Sequence, residues 1–203
     1  MKKKLIVCLT VLLLAAGLVP QKAYALTYEK TTTAQPKVIW DYFYSFIGNP
    51  YGVAGIMGNM YTESHLVPCN LDNTACRVFE TNGRDYTDKV DSGEYTEFAT
   101  DRSYYGLNQW GYTRKQKLLE YAQSIDASVG SLEAQLGFVY QELNTSYFSG
   151  LLNTVKNATS VREASDEWLR VYGGVGDKPE ESKAYRAARG QEYFDAYAPA
   201  EYK

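Results

Sequence analysis

Apolar positions at Val38, Ile39, Tyr42, Phe43, Phe46 and Ile47 recur every three or four residues, which predicts an amphipathic helix from Pro36 to Gly48. Asn49-Pro50 breaks that pattern, and a second helix follows, carrying Gly52, Gly55 and Gly58 and ending near Glu63. Glycine lowers helix stability, so three of them at i, i+3 and i+6 predict a thin face for close approach by a neighbouring helix or a ligand. The periodicity then lapses. Residues 66–104 hold turn formers, two cysteines and a charged stretch from Arg84 to Arg102, and read as a long irregular region walling a cleft. Helical spacing returns from Thr113 to Ile125, then over 131–144, 147–156, 160–172 and about 179–197. The fourth of these opens on a capping box, Ser160 with Glu163. No internal repeat, low-complexity tract or second domain is visible. The pattern predicts one mainly α domain over 36–197, preceded by a polar, threonine-rich lead-in at 26–35 that is expected to be disordered.

The first 25 residues follow a different logic. Lys2-Lys3-Lys4, an apolar run from Leu5 to Val19 and Ala23-Tyr24-Ala25 form the three parts of a secretory signal peptide, cleaved after Ala25. The run is short for a membrane span, and Cys8 lies too early for lipid attachment. The expected product is exported to the cell wall or medium, with no membrane insertion after cleavage. Removing the leader takes four lysines and no acid, so the remaining 178 residues carry 17 basic and 24 acidic side chains, a net charge of −7. That balance argues against nucleic acid as a partner and against docking on anionic surfaces. Cys69 and Cys76, close together in a polar loop of an exported chain, predict a disulfide. With His65 as the sole histidine, two cysteines fall short of a zinc site, and no metal or other cofactor is expected.

Candidate chemistry begins at Glu63. Ile56, Met60 and Glu63 stand at i, i+4 and i+7, which puts one ionisable group on an apolar helix face. Partial desolvation and the negative end of a helix dipole would both raise its pKa. A carboxylic acid protonated near neutral pH is what cleavage of a glycosidic bond needs, since the leaving oxygen must receive a proton. The bland alternative is an exposed glutamate at a fraying helix end. A second informative run, Asp101-Arg102-Ser103-Tyr104-Tyr105-Gly106-Leu107-Asn108-Gln109-Trp110, combines an acid, aromatics, a glycine turn and amides. Amides bond sugar hydroxyls and aromatic faces stack on sugar C–H surfaces. Nineteen tyrosines are compatible with a saccharide groove, although packing also uses tyrosine.

Glu63-Ser64 followed about 45 residues later by Gly106-Leu107-Asn108-Gln109 resembles the signature of goose-type lysozymes and lytic transglycosylases. The longer pattern is similar to the phage tail lysozyme domain. It is carried by Ala54-Gly55-Ile56-Met57-Gly58-Asn59-Met60, Tyr86-Thr87, Val90-Asp91-Ser92-Gly93, Phe98, Asp101, Tyr105-Gly106-Leu107 and Gln109-Trp110. Arg114-Lys115, Leu118-Leu119, Gln135-Leu136, Val161-Arg162-Glu163-Ala164-Ser165, Arg186 and Tyr193 continue it. The resemblance implies a lysozyme-like helical fold and peptidoglycan glycan strands as substrate. Glu63 would be the general acid at the β-1,4 bond between N-acetylmuramic acid and N-acetylglucosamine. Asp101 would hold a water for hydrolysis, with Asp85, Asp88 and Asp91 as competitors for that role. Ser64 would orient the carboxyl or its substrate, Gln109 would contact the glycan, and Tyr105 and Tyr172 would wall the groove. Two departures stand out: Tyr172-Gly173-Gly174 lacks the glutamate that usually follows the tyrosine, and the cysteine loop replaces a stretch usually free of cysteine. Lytic transglycosylase chemistry by Glu63 alone is the rival enzymatic reading. A catalytically silent wall-binding or assembly protein of a secretion or conjugation apparatus is the rival from another class, suggested by the leader and the small size.

Overall fold

The computed structural model describes residues 26–174, 176 and 178–203, and the predicted signal peptide at 1–25 lies outside the described residues. The described residues form nine α-helices: α1 (Pro36–Ile47), α2 (Pro50–Ser64), α3 (Asn73–Val78), α4 (Gly83–Asp91), α5 (Tyr112–Ser124), α6 (Leu132–Leu143), α7 (Ser149–Asn157), α8 (Val161–Glu167) and α9 (Glu180–Tyr197). A single π-helical turn, Trp168–Tyr172, continues α8, and a short 3₁₀ turn, Ala200–Tyr202, follows α9. Among the described residues, β pairing is limited to isolated bridges from Tyr105 to Leu71 and to Trp110. No described helix is long and apolar enough to cross a membrane.

Local chemistry sets the helix ends. Pro36 opens α1 with its fixed φ, and Gly48 closes it in the left-handed region at φ 71°. Asn49 accepts a bond from the Tyr51 backbone at 2.9 Å to start α2, while its amide donates to the carbonyls of Lys156 and Ala158. One side chain thus fixes the start of α2 against the end of α7.

The centre of the fold is α2, buried continuously from Gly52 to Met60. Its three glycines explain how. A Cβ at Gly52 would lie 2.0 Å from the Val155 carbonyl oxygen of α7, one at Gly55 would lie 2.6 Å from the Ser165 nitrogen of α8, and one at Gly58 would lie 2.2 Å from the Arg186 oxygen of α9. Each glycine lets a different helix backbone touch α2. Gly190 returns the favour from α9, where a Cβ would meet the Ala54 oxygen at 2.6 Å.

The region over 66–104 departs from its predicted irregularity. Asp72 caps α3 by accepting from the Thr74 and Ala75 backbones, both at 2.9 Å, and Asn82 caps α4 through the Asp85 backbone at 3.0 Å. Six residues are too few for a hydrophobic period to show in α3, and α4 carries a stripe of only two apolar residues, Tyr86 and Val90, within a charged stretch. Burial of Ala75, Tyr86, Thr87 and Val90 holds them instead. The lead-in is also ordered. Tyr28 accepts from Ser128 at 2.8 Å, and Thr31 donates to Gly130 at 2.8 Å and accepts from Cys69 at 3.3 Å, which straps the segment across the loop before α6.

The predicted disulfide is not formed. Cys69 and Cys76 are both free thiols. The stretch between them is no open turn: the capped helix α3 fixes Cys76 with its Sγ on the Leu71 carbonyl at 3.5 Å, while Cys69 is buried beneath the Thr31 strap. Burial pushes both thiols above their ordinary pKa.

Two outcomes test this packing. Gly58→Ala forces the backbones of α2 and α9 apart and should lower stability by about 1–3 kcal/mol in chemical denaturation. Gly150→Ala meets nothing within 4 Å and should raise stability, by at most about 1 kcal/mol. Titration of the denatured, unreduced protein should count Cys69 and Cys76 as free, and reductant should leave the melting temperature unchanged.

Candidate functional site

A cleft of about 330 Å³ opens where three segments meet. Asn59 and Glu63 come from α2, Tyr104, Asn108 and Gln109 from the loop before α5, and Trp168, Leu169, Tyr172 and Gly173 from the π turn and its exit. A larger hollow of about 790 Å³ lies over α5 and α6, where Glu142 is neutralised by Arg114 and Glu120 faces solvent. The smaller cleft combines a partly exposed carboxyl with three amides and aromatic walls.

Glu63 stands in the last turn of α2, its side chain 34 % exposed. Immediately beyond it His65 and Leu66 take left-handed conformations, φ 53° and 61°, which swing the chain away and keep the carboxyl at the cleft. Arg186 of α9 donates from Nη2 to Glu63 Oε1 at 2.7 Å, while its Nη1 approaches Asn59 Oδ1 at 3.3 Å. Asn59 in turn donates to the Gly55 carbonyl at 2.9 Å and to the carbonyl and hydroxyl of Ser165 at 3.1 and 3.0 Å. Spacing alone predicted an apolar surround for Glu63. The fold supplies a buried guanidinium instead, because the glycine contacts bring α9 against α2.

The opposite rim is fixed by buried polar groups. The Ser64 hydroxyl lies 3.0 Å from both the Met60 and Leu107 carbonyl oxygens and shares its one proton between them, pinning the end of α2 to the loop. Gln135, fully buried on α6, accepts from the Leu107 backbone at 2.8 Å and donates to Pro68 and Val129 at 2.7 and 2.9 Å. Gly106, at φ 81°, leaves room for that amide. Gln109 donates to the Asn70 and Gly106 carbonyls at 3.2 and 3.1 Å. On the third side, Tyr172 stacks on Trp168 with centroids 4.1 Å apart, and its hydroxyl donates to Glu142 at 2.5 Å. Arg114 grips both oxygens of Glu142 at 2.7 and 2.8 Å, lies 4.2 Å over the Tyr172 ring, and donates to the Tyr172 carbonyl at 2.8 Å. Burial, with the Glu142 charge, holds the Tyr172 phenol far above its ordinary pKa.

A sequence model described as phage tail lysozyme matches residues 34–197, from before α1 to the end of α9. The chain belongs to the phage tail lysozyme family. Neither curated proteins nor solved structures gave a match.

Within this phage tail lysozyme fold the predicted site residues part company. Glu63, Gln109 and Tyr172 converge on the cleft. Ser64 is buried and reaches the loop rather than the cleft, so it is an anchor and not a sugar contact. Tyr105 is no groove wall: it is fully buried, with its hydroxyl 2.5 Å from that of Thr87. Asp101 is not a water-holding carboxylate at the cleft either. Its side chain is 3 % exposed and accepts from Lys115 Nζ at 2.7 Å, Tyr86 at 2.5 Å, Tyr95 at 3.1 Å, and the backbone and hydroxyl of Ser103 at 2.9 and 2.8 Å. Of the competitors, Asp85 bonds Asn82, Asp88 pairs with Lys30, and Asp91 accepts from Ser128 and Val129. None lines the cleft. Arg186 and Asn59 were missed as site residues, although both lie in the runs that resemble the family. Their roles depend on contacts more than a hundred residues apart.

Burial alone would raise the Asp101 pKa, but hydrogen bonds from Lys115, Tyr86 and Ser103 outweigh it and hold the group below its ordinary value. The stability it contributes is therefore complete above the unfolded carboxylate pKa, about 3.9, and is lost as pH falls through the lowered folded value. Asp101→Asn leaves Lys115 buried without a counter-charge and should destabilise by about 3–5 kcal/mol. The pair Asp101→Asn with Lys115→Met should recover most of that loss and remove this part of the acid limb, read by thermal melts from pH 2 to 7.

Proposed function

We propose that this lysozyme-family protein cleaves the β-1,4 bond between N-acetylmuramic acid and N-acetylglucosamine in peptidoglycan, with Glu63 as the proton donor. The observation that carries this reading is that, among the described residues, Glu63 alone supplies an acid to a cleft lined mainly by amides and aromatic rings. The carboxyl donates its proton to the glycosidic oxygen, the bond from that oxygen to C1 breaks, and positive charge develops on the sugar. Arg186 holds one carboxyl oxygen and fixes its direction. The amide oxygens of Gln109 and Asn108 can accept from sugar hydroxyls, and the Trp168–Tyr172 turn closes one side. The leader at 1–25 supports action outside the cytoplasm, on the cell wall itself.

The same observation favours a second reading of the step that follows. With Asp101 engaged by Lys115, no second carboxylate among the described residues lines the cleft to hold an attacking water. Lytic transglycosylase chemistry needs none: the sugar's own 6-hydroxyl bonds to C1, its proton passes to the Glu63 carboxylate, and an anhydro end results. That product is one water lighter than a reducing end.

Digestion of purified peptidoglycan followed by mass measurement of the released fragments tests both readings. Glu63→Gln should reduce release by about 10²–10⁴-fold. Reducing ends mean hydrolysis and anhydro ends mean transglycosylation. Undiminished release by Glu63→Gln would remove Glu63 from the chemistry, and no release by the wild type would leave a wall-binding or assembly role.

A further inference from the structure

The cleft also carries an exposed aromatic that bond cleavage does not use. Tyr104 lines the same cleft as Glu63 and is 43 % exposed, whereas its neighbour Tyr105 is enclosed. Its backbone is clamped twice by the cap of α3: Tyr104 donates to Asp72 Oδ2 at 2.8 Å and accepts from the Asp72 backbone at 3.0 Å. Its ring rests on Gly111, where an added Cβ would come within 2.7 Å of Cε1 and 2.8 Å of Cδ1. Tyr112, itself 61 % exposed, meets it edge to face with centroids 6.1 Å apart at 84°. Arg102, Gln109 and Tyr112 all adopt left-handed backbone, at φ 62°, 49° and 50°, a conformation uncommon outside glycine. The segment thus uses a glycine, a helix cap and three unfavoured backbone conformations to hold two large rings in water.

We propose that Tyr104, supported by Gly111 and Tyr112, is a stacking platform for a pyranose ring of the glycan next to the bond that Glu63 cleaves; this rests on the cleft being a glycan site. A pyranose presents an apolar C–H face and a polar edge. The Tyr104 ring takes the first, and the amide oxygens of Asn108 and Gln109 along the same cleft take the second. The Asn108 Nδ2 is buried without a protein partner. A chain of net charge −7 beyond its leader gains nothing from attraction to an acidic polymer, so ring stacking and hydrogen bonds must supply the grip.

Titration of a β-1,4-linked N-acetylglucosamine oligosaccharide into Glu63→Gln protein by calorimetry measures binding without turnover. Tyr104→Ala and Tyr104→Leu in that background should each weaken binding about tenfold, the upper end of an aromatic contact. Tyr104→Trp should hold affinity. Gly111→Ala, which touches no sugar, should weaken binding by pushing the ring aside. Leucine keeps the bulk, so its loss of binding separates stacking from packing. Affinity within twofold of the parent for both Tyr104→Ala and Tyr104→Leu would overturn the platform, as would a parent that binds no oligosaccharide. If the oligosaccharide binds through Tyr104 while wild-type protein releases nothing from peptidoglycan, the platform stands and the bond-cleaving reading falls. If wild type releases fragments and the Tyr104 variants bind and release equally well, only the platform falls.

Discussion

Backbone-to-backbone contact along one helix governs this molecule. Because α2 carries glycine at every third position from Gly52 to Gly58, α7, α8 and α9 approach it closer than any side chain would allow. A helix so thin and so enclosed has no solvated face, and it buries Val53, Ile56, Met57 and Met60 on the others. The same closeness has a chemical result. It carries Arg186 from the far end of the chain to the Glu63 carboxyl, and Ser165 to Asn59. Packing and site geometry are here one constraint.

A second layer of order is polar. Gln135 uses its whole amide inside the protein, joining the Gly106-Leu107 turn to Pro68 and Val129. Ser64 adds the link from that turn to α2. Buried groups satisfied this fully specify one loop path, since any other would strand a donor or acceptor away from water. The cleft rim therefore keeps its shape although it is built from irregular backbone.

Two buried ion pairs flank the cleft without entering it. Lys115 with Asp101 fastens the loop before α5 to α4 through Tyr86, and Arg114 with Glu142 fastens α5 to α6 and to the carbonyl of Tyr172. Adjacent basic residues on α5 thus reach opposite sides and lock both walls. Each pair is held by several hydrogen bonds, which makes it a positioning device that fails if one partner is lost.

Helix positions and ends were legible in the sequence because their causes are local: the period of α1, Pro36 and Gly48 at its limits, the cap at Ser160, and the glycine spacing that announced close packing. Glu63 was legible as a carboxyl at the end of α2, within a run that resembles a known family, but the guanidinium that replaces its expected apolar surround was not. The short helices α3 and α4 escaped notice, α3 because six residues show no period and α4 because its two apolar residues lie in a charged stretch and depend on burial that only the folded chain provides. Which of two adjacent tyrosines faces the cleft, which aspartate is spent on a lysine, and whether two nearby cysteines meet are questions of direction. Neighbouring residues share composition and spacing but point to opposite sides of the backbone. The sequence by itself determined the helical domain and the place of Glu63 at the end of its second helix; the tertiary structure alone decided what surrounds that carboxyl, because those neighbours come from segments far apart in the chain.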